Sequence, residues 1–266
     1  MTVRHRDSSP HVRSPEVEAL APTLRRDNLV AAVVHLGQAV AILALATSFA
    51  LPVTATYLAG PPGTPPEEQV TLFDLPTGAA VAAFLLLSAL AHLIVTTTWW
   101  GGYRADLARR RNRARWVEYS ISSSLMIVLI AQLVGISDVA ALVALFGVNA
   151  SMILFGWLQE QYENPGQRGW LPFVFGCLAG IVPWLAITVY LVSPQSTSGN
   201  EPPAFVYGIF VSLFVFFNVF ALNQWLQYRA VGRWRDYLFG ERIYILLSLT
   251  AKSALAWQVF AGTLAG

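Results

Sequence analysis

Seven apolar runs, each of about 18 residues or more, constrain this chain more than anything else in it. They cover Leu29–Ala50, Thr77–Thr98, Val117–Val134, Val139–Trp157, Leu171–Val192, Ala204–Leu226 and Arg242–Ala265. A helix of about 20 residues crosses the hydrocarbon core of a bilayer. In hydrocarbon every backbone N–H and C=O must be paired within the chain, so only helices and closed barrels can span. Barrel strands alternate apolar and polar residues over about 10 positions, and these runs are longer and more continuous than that. The expected fold is all-α integral membrane, with seven transmembrane helices over residues 29–266. The 12% share of charged residues fits this class, because soluble domains carry about 25%.

The arginines give that bundle an orientation. Arg4, Arg6, Arg13, Arg25 and Arg26 precede the first run, and Arg104, Arg109, Arg110, Arg111, Arg113 and Arg115 lie between the second and third. Arg168 lies between the fourth and fifth, Arg229, Arg233 and Arg235 between the sixth and seventh, and Arg242 opens the seventh. All fall on one side. The opposite connections hold Glu67, Glu68, Asp74, Asp138 and Glu201 and no Lys or Arg. By the positive-inside rule the N-terminus is cytoplasmic, and an odd number of crossings puts the C-terminus outside. Trp99, Trp100, Trp116, Trp170, Trp225 and Trp234 sit near the same boundary, as an interfacial belt does.

Residues 1–28 form a polar, Arg-rich stretch without the apolar core that a secretory signal needs, and they read as a short flexible cytoplasmic tail. The single cysteine, Cys177, excludes a disulfide within the chain. The longest outer connection, residues 52–76, carries the turn signal Gly60-Pro61-Pro62-Gly63 between two β-prone stretches, Val53–Tyr57 and Val70–Phe73. These predict a small external β-hairpin between the first two helices. No nucleotide-binding glycine motif, no Cys/His metal spacing and no transporter-like repeat is present. No nucleic-acid partner is expected, and the bilayer is the chain's solvent.

The only lysine, Lys252, lies inside the seventh run. About ten residues of helix past Arg242 place it about 15 Å deep, near the midplane. A free ammonium there costs about 2.5–3.5 kcal/mol even on the lenient insertion scale. One reading is a structural ion pair between helices. The other is an imine-forming amine, a chemistry that arginine cannot replace and that a dry pocket favours. Arg-rich usage can follow genome composition, but it also makes a lysine at this point more telling.

Glu118 is read as the one carboxylate well inside a run. The seventh helix runs outward, and its side chains lean back toward its N-terminus. The Lys252 stem therefore reaches toward the level of Glu118 and can meet it. The alternative for Glu118 is a pair with Arg115 at the interface. Other polar groups share that half: His35 and Gln38 on the first helix, Ser88 and His92 on the second, Ser122 and Ser123 on the third, and Ser248 one turn before Lys252. Together they suggest a hydrated polar cavity. Asn149, Met152, Phe216, Phe217, Asn218 and Trp257 are candidates to line a pocket beside the amine, although such aromatic positions also occur in plain helix packing. The outer half contains no carboxylate and no basic residue between the midplane and the loops.

The chain resembles heliorhodopsins along nearly its whole length. The resemblance is carried by Ala251-Lys252-Ser253-Ala254-Leu255-Ala256-Trp257-Gln258, by Arg115-Trp116-Val117-Glu118-Tyr119-Ser120, by the run from Phe146 to Trp157 and by Leu58–Thr64. It implies all-trans retinal on Lys252 as a Schiff base, Glu118 as its counterion, Ser248 close by, and His35 and His92 in a cytoplasmic polar cavity. It also implies a homodimer with the external hairpin in the contact, and a slow photocycle without ion transport. The role so implied is a light sensor in the cell membrane, not an enzyme, in some members acting on a signalling partner. The arginine-dense loop at Arg109, Arg110 and Arg111 departs from the family.

Three functions follow for testing. The first is a retinal photoreceptor with Lys252, Glu118, Ser248, Ser122, Ser123, Asn149, Met152, Phe217 and Trp257 about the chromophore. The second is a light-driven ion transporter or channel on the same scaffold, which the unrelayed outer half disfavours. The third is a membrane enzyme with a Schiff-base lysine, or a small-molecule transporter. It lacks a second set of catalytic groups near Lys252.

Overall fold

In the computed structural model, residues 15–166, 169–192 and 202–264 are described. The expectations for Arg4, Arg6, Arg13, Arg168 and Glu201 lie outside them. The helices are α1 (Pro15–Leu45), α2 (Thr77–Thr96), α3 (Trp100–Ala108), α4 (Arg113–Leu133), α5 (Val139–Tyr162), α6 (Leu171–Val192), α7 (Ala204–Tyr228) and α8 (Tyr237–Val259). The last helix closes on a wide π turn, Phe260–Leu264. Seven of these are long and apolar enough to cross a membrane, and the short α3 is not among them.

The helices pack in sequence around the bundle: α1 on α2, α2 on α4, α4 on α5, α5 on α6, α6 on α7, α7 on α8, and α8 back on α1. Leucine, isoleucine and valine cover the outer faces, with Val33, Val143, Leu178 and Val189 among the most exposed. A globular interior would hide them, whereas lipid does not require it. Inside, Ile42, Phe84, Leu85, Ile127, Ile130, Ile187, Leu213 and Leu255 form a core at the hairpin end.

Strands β1 (Ala50–Ala55) and β2 (Val70–Pro76) pair antiparallel, with a bulge between Val53 and Thr54. The hairpin is where the β-prone stretches place it. The far end of β1 is tied to the α4–α5 turn by Thr54 Oγ1 and Ser137 Oγ, 3.0 Å apart. Three differences from the sequence reading appear at the arginine-rich end. Helix α1 starts fourteen residues before the apolar run, so Pro15–Asn28 is helical and not a flexible tail. That extension packs with α3 in a second apolar cluster of Val17, Leu24, Tyr103, Leu107 and Leu238. Helix α3 is too short to cross a membrane and ends at Ala108, two residues before Arg110, which adopts φ 55°. Trp116 is buried inside the bundle and does not belong to the interfacial belt.

Candidate functional site

Lys252 of α8 and Glu118 of α4 meet at the centre of the bundle, with Nζ 2.8 Å from Oε1. The Lys252 stem leans toward the start of α8, as side chains on a helix do. The amine also donates to Ser248 Oγ at 2.9 Å, one turn earlier on the same face. Ser88 of α2 donates to the same carboxylate oxygen at 2.6 Å. Ser122 is buried close to the carboxylate, outside hydrogen-bond geometry. The Tyr119 ring lies 4.9 Å from Nζ, an arrangement in which the ring face stabilises a cation. The side chains of Lys252 and Glu118 are only 4% and 9% exposed. At that burial, removal of one partner costs about 3–5 kcal/mol, because the other charge is left uncompensated.

Arg115 does not compete for Glu118. Its guanidinium is buried between two other carboxylates, at 2.7 Å from Glu160 Oε1 and in contact with Glu241 Oε1. Glu160 further accepts from Trp116 Nε1 at 2.6 Å and from the Tyr237 hydroxyl at 2.9 Å. Glu118 is therefore not the one carboxylate inside the helices. The α5 and α8 helices run past the apolar runs that marked them, and carry Glu160 and Glu241 inside. The spacing of Tyr237 and Glu241, one turn apart before the seventh run, was the signal available.

On the arginine-rich side of Glu118 lies a polar cavity of about 40 Å³, lined by Asn28, His92, Tyr103, Asn112, Arg115, Glu118, Tyr119, Glu241 and Tyr244. A water needs about 10–15 Å³ and two or more polar partners, so the cavity can hold about two or three. His92 Nδ1 is 2.7 Å from Asn28 Oδ1. The His35 ring stacks on His92, with centroids 5.9 Å apart. Of the four residues expected there, His92 lines the cavity, and His35 and Ser88 sit behind it. Gln38 does not belong: it is hydrogen-bonded to Ser253 at 2.9 Å, because its position on α1 faces α8.

On the other side of the amine is an apolar slot. Its inner part, about 50 Å³, is lined by Tyr119, Ser122, Ser123, Met126, Met152, Ile153, Phe217, Phe220, Ser248, Ala251 and Lys252. A larger part of about 150 Å³ shares Tyr119, Met152, Ile153, Phe217 and Phe220 with it and runs on to Gly180, Trp184 and Phe214. Trp184, which the sequence reading passed over, is buried and meets Phe210, Phe214 and Phe217 edge-on at 5.7, 5.3 and 5.4 Å. Gly180 keeps the slot open, since a Cβ there would lie 2.5 Å from Met152 Sδ.

Met152, Phe217 and Ser123 thus line the slot, and Asn218 lines its larger part. Asn149 lies behind the wall and donates to Ser123 Oγ at 2.9 Å and Ser124 Oγ at 3.1 Å, tying α5 to α4. Trp257 does not line the slot. It is 40% exposed on the outer face of α8, where its ring meets Phe260. Five residues separate it from Lys252, which turns it to another side of the helix. Phe216 lines neither part.

The family model described as Heliorhodopsin matches residues 24–264. Among solved structures, the transmembrane domain and linker region of the Salpingoeca rosetta rhodopsin phosphodiesterase superposes with a TM-score of 0.64 at 13% identity, covering 94% of this chain and 75% of that one. A second structure, of that protein's transmembrane domain, gives 0.63 at 12% identity and covers 94% and 89%. At such identities the likeness concerns the rhodopsin fold. No curated protein matches the sequence.

Proposed function

The chain belongs to the heliorhodopsin family, and from that premise we propose that it is a light-sensing retinal photoreceptor that pumps no ions. The family implies a retinal chromophore, and the residues fit one. A long apolar slot with aromatic walls ends at the chain's single lysine, whose amine already faces a carboxylate. That pairing at the end of the slot is the observation that carries the reading.

Bound to Lys252 Nζ as a Schiff base, all-trans retinal would supply the absorption of light and the isomerisation that follows. The chain does the rest. Glu118 holds the charge opposite Nζ, with Ser88 fixing its oxygen and Ser248 fixing the amine. Loss of that charge pairing loosens α8 from α4, and the packing change is the signal. Glu118 is the nearest acceptor for a proton from Nζ, and His92 beside it on the cavity wall, with His35 stacked on His92, offers the next groups in that half. Toward the hairpin the interior is the apolar core, so among the described residues a proton leaving Nζ meets no buried carboxylate, histidine or basic side chain to carry it onward on that side. This favours a slow cycle without net transport.

We further propose a multi-pass protein of the cell membrane with its N-terminus inside, supported by the one-sided arginines. A homodimer is proposed through the hairpin, where Val70, Leu72 and Phe73 of β2 expose apolar side chains. Any signalling partner would then be met at the arginine-rich end. The test is expression with all-trans retinal, followed by a spectrum and by pH recording of an illuminated unbuffered cell suspension. A visible band with no light-driven pH change is expected. A sustained pH change or photocurrent would make the protein a transporter, and a colourless protein would end the retinal reading.

A further inference from the structure

Three spaces of opposite character meet at one side chain. Tyr119 lines the polar cavity, the inner slot beside Lys252 and the larger part of the slot. Its ring face is 4.9 Å from Lys252 Nζ. Its hydroxyl donates to the Tyr244 carbonyl at 3.0 Å and lies beside Ser248. Phe220 holds the ring edge-on at 5.5 Å and 90°. Tyr244, which lines both the polar cavity and the larger slot, continues the wall.

The two spaces want different contents. The cavity on one side is walled by Asn28, His92, Asn112, Arg115, Glu118 and Glu241 and suits water. The slot on the other side is walled by Met126, Met152, Ile153, Phe217 and Phe220 and suits a hydrocarbon. A divider between them must present a ring face to a cation, an apolar edge to the slot, and a polar end that is satisfied without water. Phenylalanine lacks the third property. A tyrosine anchored on a backbone carbonyl has all three.

We infer that Tyr119 is a positioning residue that partitions the polar cavity from the slot and so limits how fast water-borne species reach the Lys252 amine. The inference rests on the reading of Lys252 as the amine that carries the chromophore. Tyr119→Phe keeps the ring and loses the anchor, whereas Tyr119→Ala joins the spaces. The anchor is one net hydrogen bond, so its loss is worth up to about tenfold in access.

Because Lys252 is the only lysine, access is measurable on the full-length retinal-free protein. Reductive methylation with formaldehyde and cyanoborohydride is followed at Lys252 by mass spectrometry. Tyr119→Ala should raise the rate by more than ~10-fold and Tyr119→Phe by ~2–10-fold. Ile130→Ala, which loosens α4 in the apolar core and lines neither space, should leave it near the parent rate. Dark bleaching of the retinal-loaded protein by hydroxylamine should follow the same order. If Tyr119→Phe equals the parent, or Ile130→Ala accelerates as much as Tyr119→Ala, the partition is disproved. If Tyr119→Ala does not fold, the comparison of Tyr119→Phe with Ile130→Ala still decides. Absence of a visible band in the parent would overturn the chromophore reading and leave the methylation result standing.

Discussion

Lys252 and Glu118, 134 positions apart in sequence, face each other at 2.8 Å with neither open to solvent. The pair is exclusive because Arg115, three residues before Glu118, is held by Glu160 and Glu241. Glu118→Gln keeps the shape and the Ser88 contact but removes the charge. The amine then stands in the bundle without a counterion, a state disfavoured by about 3–5 kcal/mol. The visible band of the retinal-bound protein should therefore be lost or strongly displaced at neutral pH. An unchanged spectrum would remove Glu118 from this role.

Lys252→Arg tests the bond itself. The guanidinium keeps the positive charge and can still pair with Glu118, so the fold should survive. It cannot form an imine, so no visible band should develop with all-trans retinal. A band that persists in this variant would end the Schiff-base reading, since no other lysine exists in the chain.

The seven spans were legible because a bilayer demands long apolar runs, and runs are visible without any knowledge of contacts. The hairpin was legible because Gly60-Pro61-Pro62-Gly63 punctuates two β-prone stretches. What lay outside the runs was not. The Pro15–Asn28 part of α1 is polar and becomes helical through packing of Val17 and Leu24 on Tyr103, Leu107 and Leu238, which no local pattern announces. Glu160 and Glu241 were hidden for the same reason, since the runs end at Trp157 and begin at Arg242 while the helices continue. Within the runs, depth could be counted but the facing side could not. Counted depth put Lys252 and Glu118 at one level, and their side chains meet at 2.8 Å, whereas Trp257 and Gln38 face elsewhere.

Orientation is open to direct labelling. In a Cys177→Ser background, Thr64→Cys places a thiol in the hairpin loop, and Arg109→Cys places one after α3 on the opposite end. Both positions are exposed. A membrane-impermeant maleimide should label Thr64→Cys on intact cells and Arg109→Cys only after permeabilisation. The reverse order would invert the topology inferred from the arginines.

Removal of a single buried charge should be most damaging at Arg115. Its guanidinium lies 3.9 Å from the Tyr244 ring centre and 4.4 Å from that of Trp116, and it neutralises two carboxylates at once. Glu160 and Glu241 are also fixed by Asn112, through its backbone N–H and its side-chain amide, each at 2.8 Å. Arg115→Met would leave both carboxylates in place and facing each other without a cation. The expected cost is about 3–5 kcal/mol, read as a marked fall in the thermal midpoint of the solubilised protein. The triple variant Arg115→Met, Glu160→Gln, Glu241→Gln removes every charge while keeping groups that can pair with Asn112, Trp116 and Tyr237. It should recover most of the loss, since an apolar or neutral replacement of a whole buried ion cluster is often close to neutral. If Arg115→Met costs less than about 1 kcal/mol, the size of an exposed pair, the cluster does not act as a buried ion network. If the triple variant is no more stable than the single one, the loss comes from packing and not from stranded charge.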